Sequence, residues 1–161
     1  MTRKEQYEQL LPQIAALIKG EKNLVGILTN VSAALHDTFP ERFFWVGFYL
    51  HQDERHLRLG PFQGSVACYA IPYGKGVCGK AWEEGRTLIV TDVESFPGHI
   101  ACSSLSRSEI VTPMYDSSHT FHGVLDIDST RPDDFNNDDK QGLERIAALL
   151  MEETEGLFVE K

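Results

Sequence analysis

Apolar residues recur every three or four positions in three stretches of the chain, and each stretch is typical of an amphipathic helix. The first begins at Thr2, whose spacing from Glu5 fits a capping box, and Gly20 can end it. The second spans about 23–38 and cannot continue past Pro40. The third covers about 138–157. Helices are therefore expected at both ends of the chain, over about 2–38 and 138–157.

The middle of the chain, about 43–129, changes to short runs of aromatic and β-branched residues that predict strands. Residues 74–85 predict a turn and a short helix that Gly85 ends. Most neighbouring runs can pair as hairpins, so we expect an α+β fold with a central antiparallel sheet flanked by helices. The chain has no internal repeat or linker, which predicts a single domain over 1–161. The predicted strands cover 43–50, 56–62, 65–72, 87–93, 109–116 and 121–129.

Composition and charge exclude several classes of function. The chain has 15 Lys and Arg against 24 Asp and Glu, and this net charge of −9 argues against binding to nucleic acid or to anionic membranes. No apolar run is long enough to span a bilayer, and "MTRKEQYEQL" lacks the apolar stretch of a signal peptide. We therefore expect a cytoplasmic protein, with enough hydrophobic residues (42%) for a proper core.

Acidic residues alternate with apolar ones in the predicted strand "FHGVLDIDS". Because side chains alternate between the faces of a strand, Leu125 and Ile127 point one way while Asp126 and Asp128 point the other. The acidic face either meets water or lines a polar pocket on the side of the sheet away from the core. Glu109 begins the neighbouring strand and could join the two acids. Three converging carboxylates would repel one another, so at least one could stay protonated and donate a proton, or the group could hold an ammonium ion.

Two aromatic residues share one face of the predicted strand "FFWVGFYL". Trp45 and Tyr49 flank Gly47 on that face, an arrangement that fits ordinary sheet packing. Alternatively, Gly47 leaves room for a slot between the two rings, which would suit a small apolar group such as a thioether methyl.

The chain has three cysteines, Cys68, Cys78 and Cys102, and in a reducing compartment they should be thiols at rest. They are either small buried hydrophobic residues or reactive groups. No pair has Cys-x-x-Cys spacing, and neither the cysteines nor the histidines have the paired spacing of a zinc site, so no metal is expected. Cys102 lies in "IACSSLSRSEIV", among small residues that would leave it accessible and therefore reactive. His99 and Arg107 lie close enough in sequence to lower its pKa.

Four stretches of the sequence follow the order of a known enzyme family. They are "FFWVGFYL", "GPFQGSVACYAIPYGKGVCGKAW", "TDVESFPGHIACSSLSRSEIVTP" and "GVLDIDS". Over nearly its whole length the chain resembles the free methionine-(R)-sulfoxide reductases, which are small enzymes made of a single GAF domain. The resemblance implies a GAF fold and thiol-dependent reduction of free L-methionine-(R)-sulfoxide.

The resemblance also implies roles for the individual residues. Cys102 would attack the sulfoxide sulfur and become a sulfenic acid as methionine leaves, and Cys68 would condense with it to form a disulfide. Cys78 is similar to the family's auxiliary cysteine, and either Cys68 or Cys78 can supply the first disulfide. The substrate would lie against an aromatic wall and a group of acids. The matching positions are Trp45, Tyr49, Glu109, Asp126 and Asp128.

The family resemblance further implies no bound cofactor. Thioredoxin would restore the thiols, with NADPH as the electron source through thioredoxin reductase. It also implies a homodimer that repairs oxidative damage to free methionine. The alternative is a GAF sensory module that binds a small ligand and whose cysteines are inert, because most domains of this fold sense ligands without chemistry.

Overall fold

The computed structural model describes residues 1–158 and contains four α-helices and six strands over that range. No helix in this range is long and apolar enough to cross a bilayer. The helices are α1 (Arg3–Ile18), α2 (Leu24–Thr38), α3 (Gly76–Glu84) and α4 (Asn137–Glu153). The strands are β1 (Trp45–His51), β2 (His56–Gln63), β3 (Ala70–Pro72), β4 (Leu88–Val90), β5 (Ser108–Tyr115) and β6 (Phe121–Ser129).

The six strands form one sheet in the order β3-β2-β1-β6-β5-β4, and every neighbouring pair is antiparallel. The chain's two halves meet at the centre of the sheet, where β1 pairs with β6. This arrangement confirms the predicted α+β fold with a central antiparallel sheet and helices.

Each face of the sheet carries a hydrophobic core. The larger core lies between the sheet and helices α1, α2 and α4, and Leu125 and Ile127 of β6 point into it. The smaller core lies on the opposite face beneath α3, and Val124 of the same strand points into that one. The alternation predicted for β6 is therefore present, and the acidic face of β6 is directed toward the smaller core.

Two predicted strands are shorter in the structure. The stretch 65–72 forms a strand only over Ala70–Pro72, because side chains from β1 use the carbonyl groups that a longer strand would pair. The indole Nε1 of Trp45 donates to the carbonyl of Ser65 at 3.0 Å, and the Tyr49 hydroxyl donates to that of Cys68 at 3.1 Å. The stretch 87–93 keeps only Leu88–Val90, since Asp92 caps a short 3₁₀ turn that follows.

Both terminal helices begin with a capping box, of which the sequence predicted the first. Thr2 and Glu5 form the predicted capping box at α1, and Asn136 and Asp139 form a second one at α4. Helix α4 ends at Glu153, four residues before the predicted end at 157. Turns follow it, and Gly156 there has a φ of +83°, which a continuing helix does not allow.

A buried ionic cluster joins the two ends of the chain. Asp139, at the start of α4, has no exposed side-chain surface. Its carboxylate accepts hydrogen bonds from the Tyr7 hydroxyl (2.7 Å), Nη1 of Arg3 (2.8 Å) and Nη2 of Arg42 (3.0 Å). The donors come from α1 and from the segment before β1, so this single carboxylate connects three parts of the helical layer.

Asp139→Ala is expected to lower the free energy of unfolding by about 3–5 kcal/mol, because it leaves buried cationic and hydroxyl donors without an acceptor. Asp138→Ala, one position earlier in the first turn of the same helix, is the matched control and should cost at most about 1 kcal/mol. Urea unfolding followed by circular dichroism measures both. Equal losses in the two variants would contradict the importance of the cluster.

Candidate active site

A cleft on the α3 side of the sheet brings acidic, aromatic and cysteine side chains together. Its floor is the β1–β6–β5 part of the sheet, its side is α3, and its rim is formed by the segments 66–67 and 99–106. The cleft is lined by acids from β5 and β6, by aromatic rings from β1, and by Cys78 and Cys102.

Three carboxyl groups meet on the floor of this cleft. In the β5–β6 ladder Glu109 pairs with Asp128, and Asp126 pairs with Val111, so the three acids lie side by side on one face. Glu109 is 6% exposed and Asp126 is 4% exposed, while Asp128 is partly buried. The hydrophobic environment and the close spacing both oppose ionisation of all three groups.

Of the three acids, two favour the protonated form and one favours the carboxylate. Burial and then the charge of Asp126 raise the pKa of Asp128 well above its ordinary range. Burial, followed by the charges of Asp126 and Asp128, does the same for the pKa of Glu109. Burial also raises the pKa of Asp126, but hydrogen bonds from Glu109 and Cys78 oppose that shift. Asp126 is therefore the acid best stabilised as a carboxylate, and its Oδ1 is buried without a hydrogen-bond partner in the described structure.

Cys78 and His99 lie next to the acids and carry no charge at neutral pH. Burial, followed by the charges of the three acids, raises the pKa of the Cys78 thiol. Burial lowers the pKa of His99, whose Nε2 is 3.8 Å from Oε1 of Glu109. The side chains that could hold a metal ion are Cys78, Glu109 and Asp126, whose ligand atoms lie within 4.8 Å of one another. A cation there would have to displace protons from the buried thiol and from Glu109.

Two parallel rings form the aromatic wall. The centroids of Trp45 and Tyr49 are 5.9 Å apart with planes inclined by 21°. The hydrogen bonds to the carbonyls of Ser65 and Cys68 fix both rings. Burial and the surrounding acids raise the pKa of Tyr49, so its hydroxyl stays protonated and remains a donor.

A disulfide lies at the rim of the cleft. It joins Cys68, in the segment before β3, to Cys102, in the loop before β5, and their Cα atoms are 5.4 Å apart. Cys102 and Cys78 both line the cleft, and Cys78 is a buried free thiol on α3. Of the two partners that the sequence left open, the structure therefore pairs Cys102 with Cys68.

Sequence reasoning missed the apolar rim residue Ile100. Ile100 lies in the cysteine loop and packs directly over Gly76, where a Cβ would approach its Cδ1 to 3.1 Å. Gly76 also has a φ of +61°, so a side chain would be strained there for a second reason. The signal in the sequence was a large apolar residue two positions before Cys102, next to small residues.

Comparisons with known proteins identify the family. Residues 21–152 match the GAF domain family. The chain is 54% identical to GAF domain-containing protein A of Dictyostelium discoideum, with 92% of each chain covered. It is 43% identical to the free methionine-R-sulfoxide reductase of Escherichia coli, covering 93% of this chain and 89% of the relative. A solved structure of the free methionine-R-sulfoxide reductase of Neisseria meningitidis, in complex with its substrate, superposes with a TM-score of 0.91. That structure is 44% identical, over 96% of this chain and 92% of its own.

The chain belongs to the free methionine-R-sulfoxide reductases built on a GAF domain. All eight site residues predicted from the sequence lie at or next to one cleft in this family member. Seven of them line it, and Cys68 is bonded to Cys102 at its rim. The lining residues are Trp45, Tyr49, Cys78, Cys102, Glu109, Asp126 and Asp128.

The predicted slot at Gly47 is wrong. A Cβ on Gly47 would overlap the Phe62 side chain, which belongs to the neighbouring strand β2 and fills the space above the glycine. The Phe62 ring stacks on Trp45 with centroids 5.0 Å apart. Gly47 thus allows a close approach of two strands at an irregular register, and the aromatic wall is backed by a third ring instead of an opening.

Glu109→Gln is expected to stabilise the folded protein at neutral pH. Above the usual glutamate pKa of about 4.3 the unfolded chain is ionised, while the raised native pKa keeps the proton on folded Glu109. The unfolded state then binds fewer protons, so wild-type stability falls as the pH rises through this window. The neutral amide removes that dependence, and urea unfolding at several pH values from about 4 to about 8 should show a flatter profile for the variant.

Glu8→Gln, on the exposed face of α1, is the matched control and should leave the pH profile unchanged. A Glu109→Gln protein that is less stable than the wild type at neutral pH would contradict a protonated Glu109.

Proposed function

We propose that this protein, acting as a single GAF domain, reduces free L-methionine-(R)-sulfoxide to methionine, with the thiol of Cys102 as the nucleophile. The observation that carries the proposal is the disulfide between Cys102 and Cys68 at the rim of a cleft lined by buried acids and stacked rings. A redox-active sulfur, a proton source and an apolar wall are the groups that this reduction needs, and all three meet in one place.

The first step is attack of the Cys102 sulfur on the sulfoxide sulfur. Two electrons pass to the substrate, the oxygen ends on Cys102 as a sulfenic acid, and methionine leaves as the thioether. A sulfoxide is a poor electrophile until its oxygen is protonated or hydrogen-bonded. Glu109 and Asp128 hold protons at neutral pH because of burial and neighbouring charge, and either can donate to that oxygen.

The second step closes the disulfide. The Cys68 thiol attacks the sulfenic sulfur of Cys102, an S–S bond forms, and the oxygen leaves as water. The Cα separation of 5.4 Å is within the range that a disulfide bridges without backbone movement. The family resemblance assigns Cys78 an auxiliary redox role in this cycle.

The walls of the cleft explain recognition of the free amino acid. Trp45 and Tyr49 can enclose the methyl group beside the sulfur and so favour one configuration at that atom. The ionised Asp126, with its unpaired Oδ1, suits the ammonium group. A residue within a polypeptide has no such ammonium and would lose this ion pair.

The electrons that reopen the disulfide come, in this proposal, from thioredoxin, which NADPH reduces through thioredoxin reductase. The cycle then needs no bound cofactor. We infer that the protein acts in the cytoplasm as a homodimer. Its role there would be the repair of oxidised free methionine.

Cys102→Ser is expected to abolish turnover, by on the order of 10³-fold or more, while substrate still binds, because the hydroxyl is a far weaker nucleophile than the thiol. Cys68→Ser should still release about one methionine per chain and then stop in the thioredoxin assay, since the sulfenic acid has lost the cysteine that pairs with it and Cys78 is buried. Dimedone labelling would detect that sulfenic acid, and dithiothreitol should restore turnover. Full thioredoxin-dependent turnover by Cys102→Ser would refute the proposed nucleophile.

A thioredoxin-coupled NADPH assay with separated epimers tests the substrate. Consumption is expected with the free R epimer alone, and little or none with the S epimer or with peptide-bound sulfoxide. Substrate binding without turnover in the wild type would instead support a GAF sensory module. Equal rates with free and peptide-bound sulfoxide would contradict recognition of the free amino acid by the cleft.

A further inference from the structure

The surface around the disulfide is unusually apolar for an exposed region. Val66 is 88% exposed, Tyr69 is 77% exposed and Leu105 is 59% exposed. The first two flank Cys68 in sequence and the third follows Cys102 by three residues, so the disulfide brings them to one part of the surface. We refer to Val66, Tyr69 and Leu105 as the disulfide-flanking surface. Large apolar side chains gathered at one place on a surface are typical of a binding site.

The two segments that contain the bonded cysteines have no charged residue, and charge begins at their borders with Arg58, Lys75 and Arg107. Residues 60–74 and 95–106, which contain the two bonded cysteines, include no Asp, Glu, Lys or Arg, although 24% of the whole chain is charged. Protein interfaces have cores that are depleted of charged residues and enriched in aromatic ones. Two uncharged segments on a chain with a net charge of −9 let another acidic protein approach without strong local repulsion.

The two sulfur atoms of the disulfide differ in their surroundings. Cys102 lines the cleft that holds the acids and rings, whereas Cys68 does not line it. The carbonyl of Cys68 accepts a hydrogen bond from the Tyr49 hydroxyl, so its backbone packs against the aromatic wall of the cleft. On either side of Cys68 the chain is exposed at Val66 and Tyr69. Both cysteines are half-buried, but only Cys102 lines the cleft, so Cys68 is the sulfur that an external thiol can reach without entering the cleft.

We propose that the disulfide-flanking surface is the docking site of a dithiol redox protein, and that the thiolate of this protein attacks Sγ of Cys68. This inference rests on the proposed function, because only a working catalytic cycle regenerates the disulfide. The attack forms an S–S bond between the partner and Cys68 and breaks the Cys68–Cys102 bond, so Cys102 leaves as a thiolate inside the cleft. The partner's second thiol then attacks the mixed disulfide and releases Cys68. Two electrons and two protons pass to this chain, and the partner ends as a disulfide.

The direction of attack has a consequence for catalysis. Because the partner binds covalently to Cys68 and not to Cys102, the nucleophile is returned directly to the substrate cleft. A small monothiol could reduce the same bond, but its rate would not depend on binding contacts with Tyr69 or Leu105. Dependence on these side chains therefore distinguishes a docked protein from a diffusing small reductant.

The first test compares two electron donors on the same variants. Tyr69→Ser and Leu105→Ser should each raise the KM for thioredoxin about five- to tenfold, as expected for loss of a central apolar contact. Their turnover with dithiothreitol should stay within about twofold of the wild type, since neither side chain lines the cleft. Because the proposed contacts are made by uncharged side chains, the KM for thioredoxin should change little between low and moderate salt.

Val25→Ser is the matched control, because Val25 is a 64% exposed apolar residue on α2, outside the disulfide-flanking surface. It should change neither activity. An unchanged KM for thioredoxin in both Tyr69→Ser and Leu105→Ser would overturn the docking surface. A wild type without activity even with dithiothreitol would instead refute the proposed function, so the two failures are distinguishable.

The second test traps the covalent intermediate. Thioredoxin whose second active-site cysteine is changed to serine cannot resolve the mixed disulfide, so it should remain bonded to the oxidised wild-type chain. Alkylation followed by peptide mass analysis should find thioredoxin on Cys68 and the alkyl group on Cys102. An adduct on Cys102 would overturn the proposed direction of attack, even if the kinetic variants behave as expected.

Discussion

The register between β5 and β6 is the constraint on which the rest of the site depends. It places Glu109 opposite Asp128 and keeps Asp126 on the same face, while Leu125 and Ile127 fill the core beneath the helices. Because side chains alternate along a strand, a slip of one residue would move the acids into the helical core and the leucine and isoleucine into the cleft. Burial of the apolar face of β6 therefore sets the position of its acidic face. Packing in the core holds the three carboxyl groups together against their mutual repulsion.

The burial of these acids destabilises the folded protein but serves its function. The protein keeps Glu109 and Asp128 protonated by burying them beside Asp126, and the resulting free energy penalty grows as the pH rises above the ordinary carboxyl range. The same shift supplies acids that still hold a proton at neutral pH, which the reduction of a sulfoxide requires. Elsewhere the chain uses buried charge differently, since Asp139 is matched by Arg3 and Arg42 and stabilises the fold.

The two bonded cysteines serve different steps of the proposed cycle, reaction with the substrate and reduction of the disulfide, and they do so at different places. Cys102 lines the cleft and meets the substrate, whereas Cys68 lies on the outer segment beside exposed apolar residues. Their bond joins residues that are 34 positions apart in the sequence and holds the segment before β3 to the loop before β5. The buried thiol of Cys78 lies among the acids, where its raised pKa makes it a poor nucleophile in the state described.

The sequence by itself determined the helix cap at Thr2, the antiparallel hairpins and the two faces of β6, because these depend on contacts between residues that are neighbours along the chain or along one strand. It also brought Glu109 to the acids, since β5 and β6 form a hairpin. Only the tertiary structure decided that Cys68 pairs with Cys102, that Phe62 fills the space above Gly47 and that the strand before α3 is short. Those features depend on side chains and loops from distant parts of the chain meeting in space, and no local pattern of residues records which of them will touch.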